Sequence, residues 1–118
     1  MPPLAPGTEW LVDAHDCDPA LLRSVEALGI VFSRAVDELQ LHPIGSPVWQ
    51  VFPAPGGVTG MQLLSESHLA CHTFPENGFA AFNLYCCRER EEWPWPERLA
   101  EILSARTVAV RRLRRGAR

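Results

Sequence analysis

The chain of 118 residues contains no lysine. Without one there is no internal aldimine to pyridoxal phosphate, no phosphate-loop lysine and no lysine Schiff base with a carbonyl substrate. Several common enzyme classes drop out. The four cysteines, Cys17, Cys71, Cys86 and Cys87, show no C-x-x-C spacing, and the start MPPLAPGTEW lacks the basic and apolar stretches of a secretory signal. A reducing cytoplasm is therefore the expected compartment. No apolar run approaches the roughly 20 residues of a membrane span. A soluble protein with no membrane partner is expected.

What is present is ordinary globular material. Hydrophobic residues make up 47% and charged residues 21%, a balance that implies a packed core rather than disorder. The length suits one domain, residues 1–118. The net charge of −3 conceals a basic end, because five of the eleven arginines fall in the last eight residues. No aromatic residues interleave them, as stacking on nucleic-acid bases would require. The run reads as a solvated end, and no nucleic-acid partner is expected.

Along the chain, the first seven residues, rich in proline and glycine, read as a loose end before a short strand, Glu9 to Asp13. Asp18 followed by Pro19 is a helix start, a capping side chain ahead of a proline at the first helical position. Apolar residues then recur at Leu21, Val25, Leu28, Phe32, Ala35 and Leu39, the steps of four and three of one buried helical face. This predicts one long amphipathic helix, bent at Gly29. After the break HPIGSP come strand candidates Val48–Phe52, Val58–Leu64, Leu69–Phe74 and Phe79–Cys87, with PENG turning the last pair into a hairpin. A second helix starts near Pro96 and TVAVRRL forms a last strand.

These elements predict an α/β fold, a two-layer α/β sandwich with an antiparallel sheet and two helices on one face. The other face is left to water or a partner. Strand alternation groups His68, Ala70 and His72 on one side, and Phe79, Ala81, Asn83, Tyr85 and Cys87 on one side of their own strand. The hairpin can bring His72 and Cys87 onto the same side, while Cys86 points the other way. Arg88 and Arg90 read as surface charges.

The stretch LLSESHLACHTFPE, Leu63 to Glu76, concentrates the polar chemistry. A metal site is one reading of two histidines four apart with cysteines nearby, but the glutamate precedes the first histidine, so this is not H-E-x-x-H, and no metal is expected. A serine hydrolase is another, but nothing resembles the G-x-S-x-G elbow. Mutual hydrogen bonding of Ser67, His68 and His72 within a sheet is the third.

The longer stretch GVTGMQLLSESHLACHTFPENGFAAFNLYCC, Gly57 to Cys87, resembles the S-adenosylmethionine decarboxylase family of bacteria and archaea. It carries a glycine-bounded V-T-G, an E-S-H triplet, H-T-aromatic-P-E and a strand ending in cysteine, in that order. Weaker likeness extends through WLVDAHDCDPALL and the closing VRRLRRG. The resemblance implies self-cleavage between Glu66 and Ser67 into a β chain (1–66) and an α chain (67–118), with Ser67 becoming a pyruvoyl group. That carbonyl forms a Schiff base with the substrate amine and serves as electron sink, which accounts for a decarboxylase without lysine.

The same resemblance implies His72 as a processing histidine assisted by Thr59, Cys87 as proton donor to the substrate α-carbon, and Glu76 as binder of the ribose hydroxyls. A thiol is mostly protonated at neutral pH and can give a proton. Phe52 is a candidate for stacking on adenine or for cation–π contact with the sulfonium. Asn83 stands where the family commonly has aspartate, and VFPAPGG is one residue longer than the family's approach, which can shift Phe52. The implied activity is decarboxylation of S-adenosylmethionine to the aminopropyl donor for spermidine, by a homodimer of cleaved protomers. The alternatives are a pyruvoyl-dependent decarboxylase of ornithine or arginine, for which Asn83 leaves room while Glu76 favours a ribose-bearing substrate, and a non-catalytic regulatory paralogue, disfavoured by keeping Glu66, Ser67, His72 and Cys87 together.

Overall fold

The computed structural model describes residues 4–116. Six strands, β1 (Leu4–His15), β2 (Val48–Val51), β3 (Val58–Leu64), β4 (Ser67–Phe74), β5 (Phe79–Arg88) and β6 (Thr107–Arg114), form one sheet in the order β2-β3-β4-β5-β1-β6. Every neighbouring pair is antiparallel. Helices α1 (Pro19–Leu22), α2 (Val25–Glu38) and α3 (Trp95–Leu103) pack on one face, giving the expected two-layer sandwich.

Three local expectations are corrected. The first described residues are not a loose end: β1 begins at Leu4 and continues past an irregularity between Leu4 and Thr8. Gly7 makes this possible, because its φ of +144° and its contact with the Tyr85 ring leave no room for a Cβ. Residues 1–3 lie outside the described residues. The single long helix is two, and the break is not at Gly29. Asp18 caps α1 by accepting from the Ala20 amide at 2.9 Å, and Ser24, in extended conformation, caps α2 by accepting from the Ala27 amide at 3.0 Å. Two caps six residues apart overrule an apolar period that continues through them. The strand expected from Leu69 starts earlier, at Ser67.

The core lies between the layers. Val12, Leu69, Cys71, Phe82 and Leu84 from the sheet meet Leu22, Leu28, Phe32, Leu99 and Leu103 from the helices, all 2% exposed or less. Trp49 of β2 stacks on Phe32 at 4.9 Å, and its ring fills the space a Cβ at Gly60 would need. The glycine after Val-Thr is thereby a packing requirement. Along β4 and β5 buried and partly exposed residues alternate, so one face of the sheet stays uncovered. It carries Thr59, His68, His72, Asn83 and Cys87, together with the exposed apolar side chains Val48, Met61, Leu63, Phe74 and Leu113.

Glu38, at the end of α2, ties α2 to α3. Its carboxylate accepts from Trp93 Nε1 at 2.7 Å, from Arg98 Nε at 2.9 Å and from Arg34 Nε at 3.0 Å. Arg98 and then Trp93 hold its pKa down at about 2, from an ordinary 4.5. A depressed carboxylate stabilises the fold above its unfolded pKa and ceases to do so as pH falls through its folded pKa. Thermal melting of a Ser67→Ala chain, in which a single polypeptide unfolds, is expected to lose midpoint temperature between pH 4.5 and pH 2. Glu38→Gln in that background melts lower at pH 7 and shows a shallower acid decline.

Candidate active site

β3 and β4 are joined by the two-residue turn Ser65–Glu66, with Leu64 paired to Ser67. Ser67 is thus the first residue of β4, opposite Cys86 of β5. Its hydroxyl is hydrogen-bonded to the Cys86 thiol, which burial pushes up to about 11. Cys87, one step on, belongs to the open side. Ser65, Glu66, Ser67, Cys86, Cys87, Arg88 and Arg90 line a cleft of about 10 Å³ here, the scale of one water molecule.

Glu66 is held by a two-pronged ion pair, Arg88 Nε to Oε2 at 2.8 Å and Nη2 to Oε1 at 2.9 Å. The Arg88 hydrogen bond keeps the Glu66 carboxyl below the ordinary carboxylate range. Reading Arg88 as a surface charge is therefore wrong: its side chain is 16% exposed. Arg90 is also drawn in, with a buried Nε that makes no hydrogen bond among the described residues. Neither role has a local sequence signal, because Glu66 and Arg88 meet only through the pairing of β4 with β5.

The other end of the open face holds the remaining candidates. Thr59 of β3 is opposite His72 of β4, and Thr59 Oγ1 lies 3.0 Å from His72 Nδ1. Next to them is a pocket of about 370 Å³ lined by Phe52, Pro53, Pro55, Thr59, His72, Phe74 and Glu76, within the range of about 300–1,000 Å³ usual for small-molecule sites. Phe52 and Phe74 are 49% and 40% exposed. The longer VFPAPGG segment leaves Phe52 in the pocket with Glu76.

The two ends do not meet within one chain. His72 is five residues from Ser67 along β4, about 17 Å at strand rise. It shares a face with Cys87, as strand alternation predicts, yet it pairs with Ala81 rather than lying near Cys87.

Asn83 stands between the two ends. Its Nδ2 donates to Glu9 Oε2 at 2.6 Å, and its Oδ1 lies 2.9 Å from His68 Nε2. With the amide donating to the carboxylate, the oxygen faces the imidazole, so His68 carries its proton on Nε2. Glu9 also accepts from Arg115 Nη1 at 2.7 Å. The Asn83 amide first, and then Arg115, hold its carboxyl below the ordinary range. The His68 ring stacks on Tyr85, whose hydroxyl donates to the Pro6 carbonyl. Sequence reading missed Glu9, whose charge reaches Asn83 across the β1–β5 ladder. Among the described residues, no group of three His, Cys, Asp or Glu side chains is arranged to hold a metal ion.

A carboxylate at position 83 would face Glu9 directly. Asn83→Asp is expected to destabilise the fold at pH 7, and Glu9→Gln in the same chain to recover most of that loss. Urea unfolding of the four chains of this cycle should give a coupling of about 0.5–3 kcal/mol; additive effects would place the two side chains out of contact.

The model of the S-adenosylmethionine decarboxylase family matches residues 8–116. An S-adenosylmethionine decarboxylase proenzyme of Picrophilus torridus is 32% identical over 114 residues, covering 96% of this chain and 86% of that one. A proenzyme of the same name from Pelotomaculum thermopropionicum is 32% identical over 111 residues, covering 93% and 86%. The crystal structure of the adenosylmethionine decarboxylase from Aquifex aeolicus superposes with a TM-score of 0.77 at 26% identity, over 98% of this chain and 94% of that one. With the motif residues distributed over a matching fold, the chain belongs to the S-adenosylmethionine decarboxylase family.

Proposed function

We propose that the chain is a pyruvoyl-dependent S-adenosylmethionine decarboxylase that generates its own carbonyl cofactor by cleavage between Glu66 and Ser67, and that two copies build each site. The observation that carries the reading is the position of this bond in a two-residue hairpin turn, with Ser67 opening β4 beside Cys87. Cleavage there leaves the sheet intact. Strands β4, β5 and β6 would belong to one fragment and β1, β2 and β3 to the other, and the strand order interleaves them. Separation would require breaking the β3–β4, β5–β1 and β1–β6 ladders together.

These residues fit a pyruvoyl group. A carbonyl at position 67 would sit at a strand N-terminus whose next residues are locked to β5, so its direction is set by the ladder. A pyruvoyl carbonyl supplies the electron sink that decarboxylation of an amino acid needs. Cys87, on the open face and lining the same cleft, is placed to return a proton to the substrate α-carbon. Glu76 offers two acceptor oxygens to a ribose diol, and Phe52 and Phe74 offer apolar faces to a purine. A pocket of that size and lining suits a nucleoside substrate better than free ornithine or arginine.

The separation of about 17 Å between Ser67 and His72 is the argument for two copies. Cys87 at one end and Thr59 and His72 at the other lie on the one uncovered face, which also exposes Met61, Leu63 and Phe74. A two-fold axis parallel to that face and running across the strands lays the Thr59–His72 end of one protomer over the Ser67–Cys87 end of the other and buries the exposed apolar side chains. Product for spermidine synthesis and a cytoplasmic location follow from this reading. Among the described residues no helix is long and apolar enough to cross a membrane.

Intact mass under denaturing conditions tests the cofactor. The expected result is two fragments, one ending at Glu66 and one beginning with a blocked residue 67, and a single chain for Ser67→Ala. An uncleaved natural chain would leave the regulatory paralogue as the better reading. Release of carbon dioxide from S-adenosylmethionine, with none from ornithine or arginine, would settle the substrate.

Co-expression of Ser67→Ala with His72→Ala tests the shared site. Alone, the first cannot cleave and the second is expected to cleave about 10²-fold more slowly, at the low end of the loss of a general acid–base group. Together, the His72→Ala chain should be cut, because its Ser67 meets the intact His72 of its partner. Failure to complement, with both chains dimeric, would mean that each protomer processes itself.

A further inference from the structure

We propose that Arg90 receives the carboxylate liberated at Glu66 during self-cleavage, while Arg88 holds the Glu66 side chain, so that the two arginines form an anion-holding wall beside the scissile bond. This rests on the cleavage proposed above. Its basis is a mismatch of charge in the cleft. Two guanidinium groups border it, and one carboxylate, that of Glu66, is fully engaged by Arg88 at 2.8 and 2.9 Å. Arg90 Nε is buried with no hydrogen bond among the described residues. A buried donor without a partner costs stability, and nothing among the described residues of the precursor repays it. Its charge is felt at the Cys86 thiol, the group hydrogen-bonded to Ser67, which places it within electrostatic reach of the reacting serine.

Cleavage creates the missing anion. Ser67 Oγ adds to the Glu66 carbonyl carbon, the peptide C–N bond breaks, and the hydroxyl proton passes to the Ser67 nitrogen, leaving an ester and a free amine. A base then removes the Ser67 α-proton. The C–H electron pair becomes the Cα–Cβ double bond, and the Cβ–Oγ bond breaks with its pair departing on oxygen. That oxygen leaves as part of the new Glu66 α-carboxylate. The dehydroalanine tautomerises to an imine, takes up water and releases ammonia to give the pyruvoyl group. One negative charge, on the Glu66 α-carboxylate, therefore appears in the cleft at the elimination step, while the base carries away the α-proton. Arg90 offers the unpaired buried donor, and a guanidinium donates to carboxylates in matched geometry.

Ester formation creates no lasting anion, so the contribution of Arg90 belongs to elimination. A pulse of cell-free synthesis followed by a chase, with and without hydroxylamine, separates the two steps. Hydroxylamine cuts an accumulated ester to a Glu66 hydroxamate and a chain beginning with intact Ser67. The natural chain is expected to cleave spontaneously. Arg90→Met should cleave about 10²-fold more slowly, the lower end of the loss of one stabilising donor, while accumulating hydroxylamine-sensitive ester. Arg90→Lys, keeping the charge, should recover part of the rate. Cleavage of Arg90→Met at the natural rate would overturn the proposal. So would slow cleavage of Arg90→Met without ester while Arg90→Lys cleaves normally, because Arg90 would then act before elimination. A natural chain that forms neither fragments nor ester would instead overturn the self-cleavage reading itself.

Discussion

Ser67 pairs with Cys86 and Phe74 with Phe79, and between these ends Leu69, Cys71, Phe82 and Leu84 are buried against the helices. Those four side chains fix the register of β4 on β5. A slip of one residue would turn the whole set to the open face and bring His68, Ala70 and His72 under the helices. The cost of exposing even one such side chain is about 1.5–3 kcal/mol, so the register is strongly specified. Everything at the candidate site inherits it: Ser67 at the turn, Cys87 across the cleft, Asn83 in the middle and His72 at the far end.

The same register separates two kinds of environment around neighbouring residues. Cys86 is turned inward, where burial keeps its thiol protonated, and Cys87 is turned outward. Adjacent cysteines thus differ by strand alternation alone. Charge is handled similarly. Two carboxylates near the site are matched to donor sets: Glu66 to Arg88, and Glu9 to Asn83 and Arg115. Arg90 is the departure from this pattern, which is why its orphaned nitrogen carries weight.

Position 83 illustrates how a sheet can supply a charge to a neutral side chain. A carboxylate stands 2.6 Å from Asn83, supplied by Glu9 on the adjacent strand. The open face thus carries a negative group beside the amide. The amide between Glu9 and His68 also gives the imidazole a defined proton position, which a carboxylate at 83 would not do in the same way.

Much of this was legible in the chain itself. The lack of lysine, the order of V-T-G, E-S-H and H-T-F-P-E, and the alternation of Phe79 to Cys87 determined the fold class, the family and which side chains share a face, because these are local or short-period properties of a polymer. The break at Ser24 was also written locally, in its cap, but a continuous apolar period hid it. What only the tertiary structure decided were distances between residues remote in sequence. That Arg88 reaches Glu66, that Glu9 reaches Asn83, and that His72 lies too far from Ser67 to act on it within one chain all depend on strand order and register. These are set by burial summed over the whole sheet, a quantity that no single segment contains.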